Sequence, residues 1–168
     1  MSLLIAVPNR RRQDSPLIRR AGLLLVAVMS LANGFSAALL IRGLLGGRLG
    51  GGAGELLANG TGVYVTNIIA FALWYWELDR GGPLARAIGT HVHPDFLFPQ
   101  MATPGLAKPD WQPTFLDYLY VSFTNATAFS PTDTMPLTRW AKMLMLVQSG
   151  IALLTVALVI ARAVNIFK

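Results

Sequence analysis

Thr114-Phe115-Leu116-Asp117-Tyr118-Leu119-Tyr120-Val121-Ser122-Phe123-Thr124-Asn125-Ala126-Thr127-Ala128-Phe129 is the stretch on which the fold turns. Its opening, Thr114-Phe115-Leu116-Asp117, has the threonine-x-x-acid form of a helix N-cap, with the acid also placed favourably for the helix dipole. The helix must stop before Pro131, because proline disfavours helical geometry in the residue ahead of it. Residues 115–129 then rise about 22 Å, short of the roughly 30 Å hydrocarbon core of a bilayer. An apolar helix of that length is interfacial, re-entrant or buried. A polar turn follows, Ser130-Pro131-Thr132-Asp133-Thr134-Met135, after which Pro136 suits the first turn of another helix. Run to about Asn165, that last helix is about 45 Å long and can cross with tilt or protrusion.

Outward from this stretch the chain is built for lipid. It is 54% hydrophobic and only 13% charged, where a soluble domain carries about a quarter charged residues. Ala21–Ile41, Leu56–Trp76 and Met143–Ala161 each run without a charge, and each is near the ~20 residues that a spanning helix needs. What remains is too little for a separate soluble core, so one domain is expected in a multi-pass protein of the cell membrane. Arg10, Arg11, Arg12, Arg19 and Arg20 stand in a basic segment, residues 1–20, ahead of the first helix, 21–41. They read as a topology signal and an attraction to anionic headgroups. No aromatic residues interleave them as a nucleic-acid arm would need. The apolar run behind them exceeds the 7–15 residues of a signal-peptide core, so it reads as a retained helix. The chain has no cysteine, which excludes disulfides, thiol catalysis and cysteine metal sites.

The connectors carry little chemistry. Arg42–Glu55 is glycine-rich and lacks the Gly-Lys-Ser/Thr of a phosphate-binding loop. Trp74-Tyr75-Trp76-Glu77-Leu78-Asp79-Arg80 marks a membrane boundary near residue 76, the rings suiting the headgroup zone and the charges suiting water. Six prolines between Gly81 and Pro113 forbid a long helix and predict an extramembrane loop, 77–113. His91, His93 and Asp95 alternate along it and would share one side of an extended segment, but no fourth metal ligand follows from spacing. The expectation is a solvated loop, with no metal, no cofactor and no enzymatic nucleophile–base pair. Asn59-Gly60-Thr61 and Asn125-Ala126-Thr127 match the glycosylation sequon, yet fall in or beside membrane segments.

An outer helix 56–76, a loop 77–113, a half-helix 115–129, a turn 130–135 and an inner helix 136–165 make the plan of a pore module over 56–168. Val121-Ser122-Phe123-Thr124-Asn125-Ala126-Thr127-Ala128-Phe129-Ser130-Pro131-Thr132-Asp133-Thr134-Met135-Pro136-Leu137-Thr138 resembles the pore-helix and filter region of two-helix potassium channels. The resemblance continues through Arg139, Ala141 and Ala161-Arg162-Ala163-Val164. It implies an all-α membrane protein, three transmembrane helices plus a short re-entrant pore-like helix, assembled as a homotetramer in the lipid bilayer. It also implies a filter-like lining of Thr127, Ala128, Phe129, Ser130, Pro131, Thr132 and Asp133 that meets monovalent cations.

Where that family has Thr-Val-Gly-Tyr-Gly-Asp, this chain has Ala128-Phe129-Ser130-Pro131-Thr132-Asp133. The filter turns successive carbonyls toward the ion, and glycine reaches those backbone angles at little cost. Ser130 and Thr132 would be strained there, and Pro131 fixes its own φ and restricts Ser130. No potassium-selective filter of the usual kind is expected. The expectations are weakly selective cation permeation, a closed relative that serves as a membrane scaffold or regulatory partner, or a small bundle of accidental likeness. Gly150 would be a gating hinge or a close-packing site, Gln148 and Ser149 would bond between helices, and Asp133 would contact a cation or cap the next helix.

With three crossings, Arg10–Arg20 and the five basic residues of 77–142 share one side, and Arg42, Arg48, Arg162 and Lys168 the other: ten against four. Were 115–129 to cross as a fourth helix, the count would again be ten against four, so charge leaves three and four crossings open, and on either count the positive-inside rule places the N-terminus inside. The resembled channels carry the filter outside, which would put these arginines outside too.

Overall fold

The computed structural model describes residues 16–46, 53–89, 93–127 and 133–166. Its helices are α1 Pro16–Leu45, α2 Ala53–Leu78, α3 Pro83–Ile88, α4 Pro99–Ala102, α5 Phe115–Thr127 and α6 Arg139–Ile166. Among the described residues three helices are long and apolar enough to cross a membrane, in the windows Arg19–Gly43, Gly54–Ile88 and Arg139–Ala161. The fold is that of an all-α membrane protein. Many large apolar side chains of α1 and α6 face outward, Leu24, Leu31 and Phe35 on one and Leu146, Leu153 and Ile160 on the other. Lipid accepts such a surface, and a helix satisfies its backbone groups internally, as hydrocarbon demands.

Three apolar clusters set the order along the bundle. Leu40, Leu56 and Val159 pack at one end, and Ile68, Ala126 and Ala152 in the middle. Phe71, Tyr75, Phe96, Phe98, Tyr118, Val121 and Ala141 fill the other end. Gly60 makes the close approach between α2 and α6. A Cβ there would lie 2.6 Å from Val159 Cγ2, so only a residue without a side chain lets the backbones meet.

The 77–113 segment is solvated only in part: 99–110 is mostly exposed, and much of the rest is drawn into the bundle. It carries Phe96 and Phe98 into the core, where Phe96 meets the rings of Tyr75, Tyr118 and Trp140, and Phe98 those of Trp111 and Tyr118. Asp79, expected in water, is 0% exposed; its carboxylate is taken up by partners far along the chain. Arg80 at φ 50°, Gly81 at 79° and Gly82 at 101° turn the chain sharply between α2 and α3, a conformation glycine adopts without Cβ strain.

Phe96–Leu97 (β1) pairs antiparallel with Met135–Pro136 (β2), in the register Phe96 to Pro136 and Leu97 to Met135. Pro136 therefore sits in a strand pair and not in the first turn of α6. Its neighbour Leu137 donates its N–H to the Asp95 carbonyl at 2.8 Å, which holds 135–137 extended and delays the helix to Arg139. Arg19 lies beside Gly82, the Trp76 ring packs at a tilt against Phe115 and Trp140 bonds Asp95. The starts of α1, α5 and α6 and the end of α2 thus share one end of the bundle.

Candidate functional site

The half-helix α5 is built into the bundle at both ends. At its start Asp117 Oδ2 accepts from Thr114 N at 2.7 Å and from Thr114 Oγ1 at 2.8 Å, while Asp117 N donates to the Thr114 carbonyl at 3.1 Å. The acid thereby reaches back to the N-cap, satisfying a donor that the first turn would leave orphaned. Tyr118, Val121, Ser122 and Ala126 form the buried face, a spacing that one side of a helix imposes. Leu116, Tyr120 and Phe123 face outward. Ser122 meets Ile68, about 15 Å along α2 from Leu78, and Ala126 packs on Ala152, about 20 Å along α6 from Arg139. By Met135 the chain is back at β1, beside the point where α5 began.

A polar knot fixes this placement. Gln148 of α6 is 0% exposed. Its Oε1 accepts from Tyr75 Oη at 2.5 Å and from Asn125 Nδ2 at 2.8 Å. Its Nε2 donates to the Ser122 carbonyl at 2.9 Å and to Ser122 Oγ at 2.6 Å. Ser122 Oγ donates in turn to the Ile68 carbonyl at 2.6 Å. Asn125 Nδ2 also donates to the Met145 carbonyl at 2.9 Å, and Ser149 Oγ lies 3.1 Å from both Asn125 O and Oδ1. One glutamine amide thus ties α2, α5 and α6 together, with each of its donors and its acceptor engaged. The expectation that Gln148 and Ser149 bond between helices is met, and both bond to α5.

A second cluster locks the loop to the helix end. Asp79 Oδ2 accepts from Tyr118 Oη at 2.5 Å and lies 3.5 Å from Arg80 Nε, while Oδ1 accepts from Asp95 N at 2.9 Å. Arg86 Nη1 donates to the carbonyls of Trp76 at 2.6 Å and Asp79 at 2.9 Å, and its guanidinium sits 5.1 Å from the Tyr118 ring centroid. Asp95 accepts from Arg80 N at 2.8 Å through Oδ2 and from Trp140 Nε1 at 3.0 Å through Oδ1. Two carboxylates and two guanidiniums make the cluster neutral overall, which is how charge is tolerated away from water. Both Asp95 oxygens are engaged, so this carboxylate holds the loop; no group of three or more metal-ligand side chains gathers among the described residues. His91 lies outside them.

Of the filter-like residues, Thr127 ends α5 half-buried, its hydroxyl donating to the Thr124 carbonyl at 2.9 Å. Ala128, Phe129, Ser130, Pro131 and Thr132 lie outside the described residues, and Asp133 is exposed where description resumes. Gly150 is exposed, and a Cβ there would meet nothing within 4 Å. It is therefore not a close-packing site within this chain; that role falls to Gly60. The sequence alone did not single out Tyr75, Ser122 or Asn125 for the knot, nor Asp79 and Arg86 for the clasp. A usable signal existed: Tyr118, Val121, Ser122 and Asn125 recur at i, i+3, i+4 and i+7, which places two polar groups on the apolar face. No protein-family model, no curated protein and no solved structure matches the chain.

Proposed function

We propose that this chain is a multi-pass protein of the cell membrane in which α5 is a re-entrant half-helix. Four copies surround an axis and pass monovalent cations with little discrimination. The observation that carries this reading is the path of the chain around α5. It leaves the helix boundary beside Trp76, ends near Ile68 and Ala152 about halfway through a ~30 Å core, and returns to the same boundary by Met135. That path and the residues 121–138 together support a pore-module plan. Thr127, Ser130, Thr132 and Asp133 would supply oxygen groups at the mouth, and the C-terminus of α5 directs partial negative charge there. The scaffold and the half-helix belong to the protein, and selectivity is what the missing glycines remove.

The basic residues orient it. Arg19 at the start of α1 lies beside Gly82 of the loop, so Arg19, Arg20 and the five basic residues of 77–142 share one end of the bundle, and the positive-inside rule makes that end the cytoplasmic one. The mouth then opens to the cytoplasm, the reverse of the resembled channels. A second reading, a closed membrane scaffold, is favoured by one feature. Ser122, Asn125, Gln148 and Ser149 bond to one another inside the protomer, so their polar groups serve packing between helices and not a pore lining.

Cation flux into liposomes separates the two. Purified protein reconstituted with a potassium or sodium gradient should pass both ions at comparable rates, with Asp133→Asn slowing both. Flux equal to that of empty liposomes would remove the conducting reading and leave the scaffold.

A further inference from the structure

Between α1 and α2, in the half of the bundle away from the loop, runs a groove of about 620 Å³. Met29, Asn33, Ser36 and Leu40 of α1 line it opposite Asn59 and Thr66 of α2. Asn33 stands about 15 Å from Gly43, well below the surface of that leaflet. It is 6% exposed, faces the groove, and makes no hydrogen bond to any described residue. Asn67, next to Thr66, is also buried, and neither its Oδ1 nor its Nδ2 has a partner. Asn67 does not line the groove, and beside α5 the amides of buried Gln148 and half-buried Asn125 are engaged.

An amide in hydrocarbon without a partner is costly, so its persistence in a groove points to something that bonds it there. The lining narrows what that is. None of the residues around the groove carries a charge, so nothing balances an ionic headgroup at that depth. Asn33 and Asn59 each present two donors and an acceptor. Ser36 spends its proton on the Ala32 carbonyl at 2.9 Å and keeps lone pairs to accept with. A partner that both donates and accepts, as a hydroxyl does, serves all of these groups, whereas an acceptor-only carbonyl leaves the amide oxygens and the Ser36 lone pairs unserved. Apolar Met29, Leu39, Leu40 and Val63 complete the walls and suit an acyl chain.

We infer that the α1–α2 groove binds a neutral lipid alcohol of the far leaflet, of the diacylglycerol type, with its hydroxyl on Asn33 and Asn59 and its chains between the helices. The site is independent of whether α5 lines a conducting mouth.

The test uses the full chain in phosphatidylcholine nanodiscs with a diacylglycerol carrying a photoactivatable group on one acyl chain. Crosslinks should fall within 29–40 and 58–66, and excess dioleoylglycerol should compete them away where added phosphatidylcholine does not. Asn33→Leu and, separately, the exposed Asn59→Leu should each reduce labelling about tenfold, the factor expected for one hydrogen-bonded amide. Asn59→Leu keeps the test decisive should Asn33→Leu fail to fold. Labelling spread evenly over the outward helix faces, or unchanged in Asn59→Leu, overturns the site. Equal competition by ubiquinone overturns the alcohol assignment, since ubiquinone's ring oxygens only accept. A disulfide between two copies through Asn33→Cys would hand the groove to a second protomer and overturn the lipid.

Discussion

Replacing Gln148 by leucine keeps the volume of the side chain nearly unchanged and removes all four of its hydrogen bonds at once. Tyr75 Oη loses its acceptor, leaving only a 3.5 Å contact with Asn125, and Asn125 Nδ2 keeps a single good bond, to the Met145 carbonyl. Ser122 Oγ still donates to Ile68. Two donors are thus orphaned in a dry interior, at about 1–3 kcal/mol each by soluble-protein experience. Measured hydrogen bonds within membranes average about 0.6 kcal/mol, and four of them set a floor of about 2.4 kcal/mol. We expect Gln148→Leu to destabilise by about 2–4 kcal/mol, read by tryptophan fluorescence during unfolding in mixed detergent. Ser149→Ala, which removes only two 3.1 Å contacts, should cost about 1 kcal/mol or less. The double variant with Tyr75→Phe is the sharper check, because it deletes the orphaned hydroxyl as well. It should cost less than the two single changes added, by about 1 kcal/mol of coupling. A Gln148→Leu change within about 0.5 kcal/mol of zero, or strict additivity with Tyr75→Phe, would refute the idea that this amide anchors α5.

Asp79→Asn removes the buried carboxylate that lies 3.5 Å from Arg80 Nε, while Arg86 keeps its bond to the Asp79 backbone carbonyl, and should cost about 3–5 kcal/mol. Limited proteolysis should then cut within 83–113 at protease levels that spare the parent. Gly60→Ala pushes a methyl to 2.6 Å from Val159 Cγ2 and should cost about 1–3 kcal/mol. Val159→Ala should restore most of that, whereas Gly150→Ala, which meets nothing within 4 Å, should leave thermal stability unchanged. For orientation, Asp110→Cys should react with an impermeant thiol reagent only after the membrane is opened, and Gly46→Cys should react on intact cells. The opposite pattern would put the loop and the basic segment outside.

What the sequence made legible was what depends on neighbouring residues alone. Hydropathy locates the cores of α1, α2 and α6 within a few residues, since crossing requires only a long enough uncharged run. The start of α5 was visible in Thr114 and Asp117 because capping acts over three residues. Long-range partners were not visible. Asp79 looked water-facing because its Tyr118 partner comes 39 residues later, and Pro136 looked like a helix opener because the strand it pairs with lies at Phe96. A proline-rich loop reads as solvated until Phe96 and Phe98 find Tyr118. At the candidate mouth, Thr127 and Asp133 bracket the turn, and Ala128–Thr132 lie outside the described residues.

Fourfold assembly is what a half-helix and filter-like turn need in order to enclose an axis, and an isolated bundle needs none. Native mass spectrometry of the full chain released from nanodiscs therefore addresses the pore-module plan most directly. A tetramer is the expected result. A monomer or dimer that persists as the protein is concentrated would contradict it, whatever the liposomes pass.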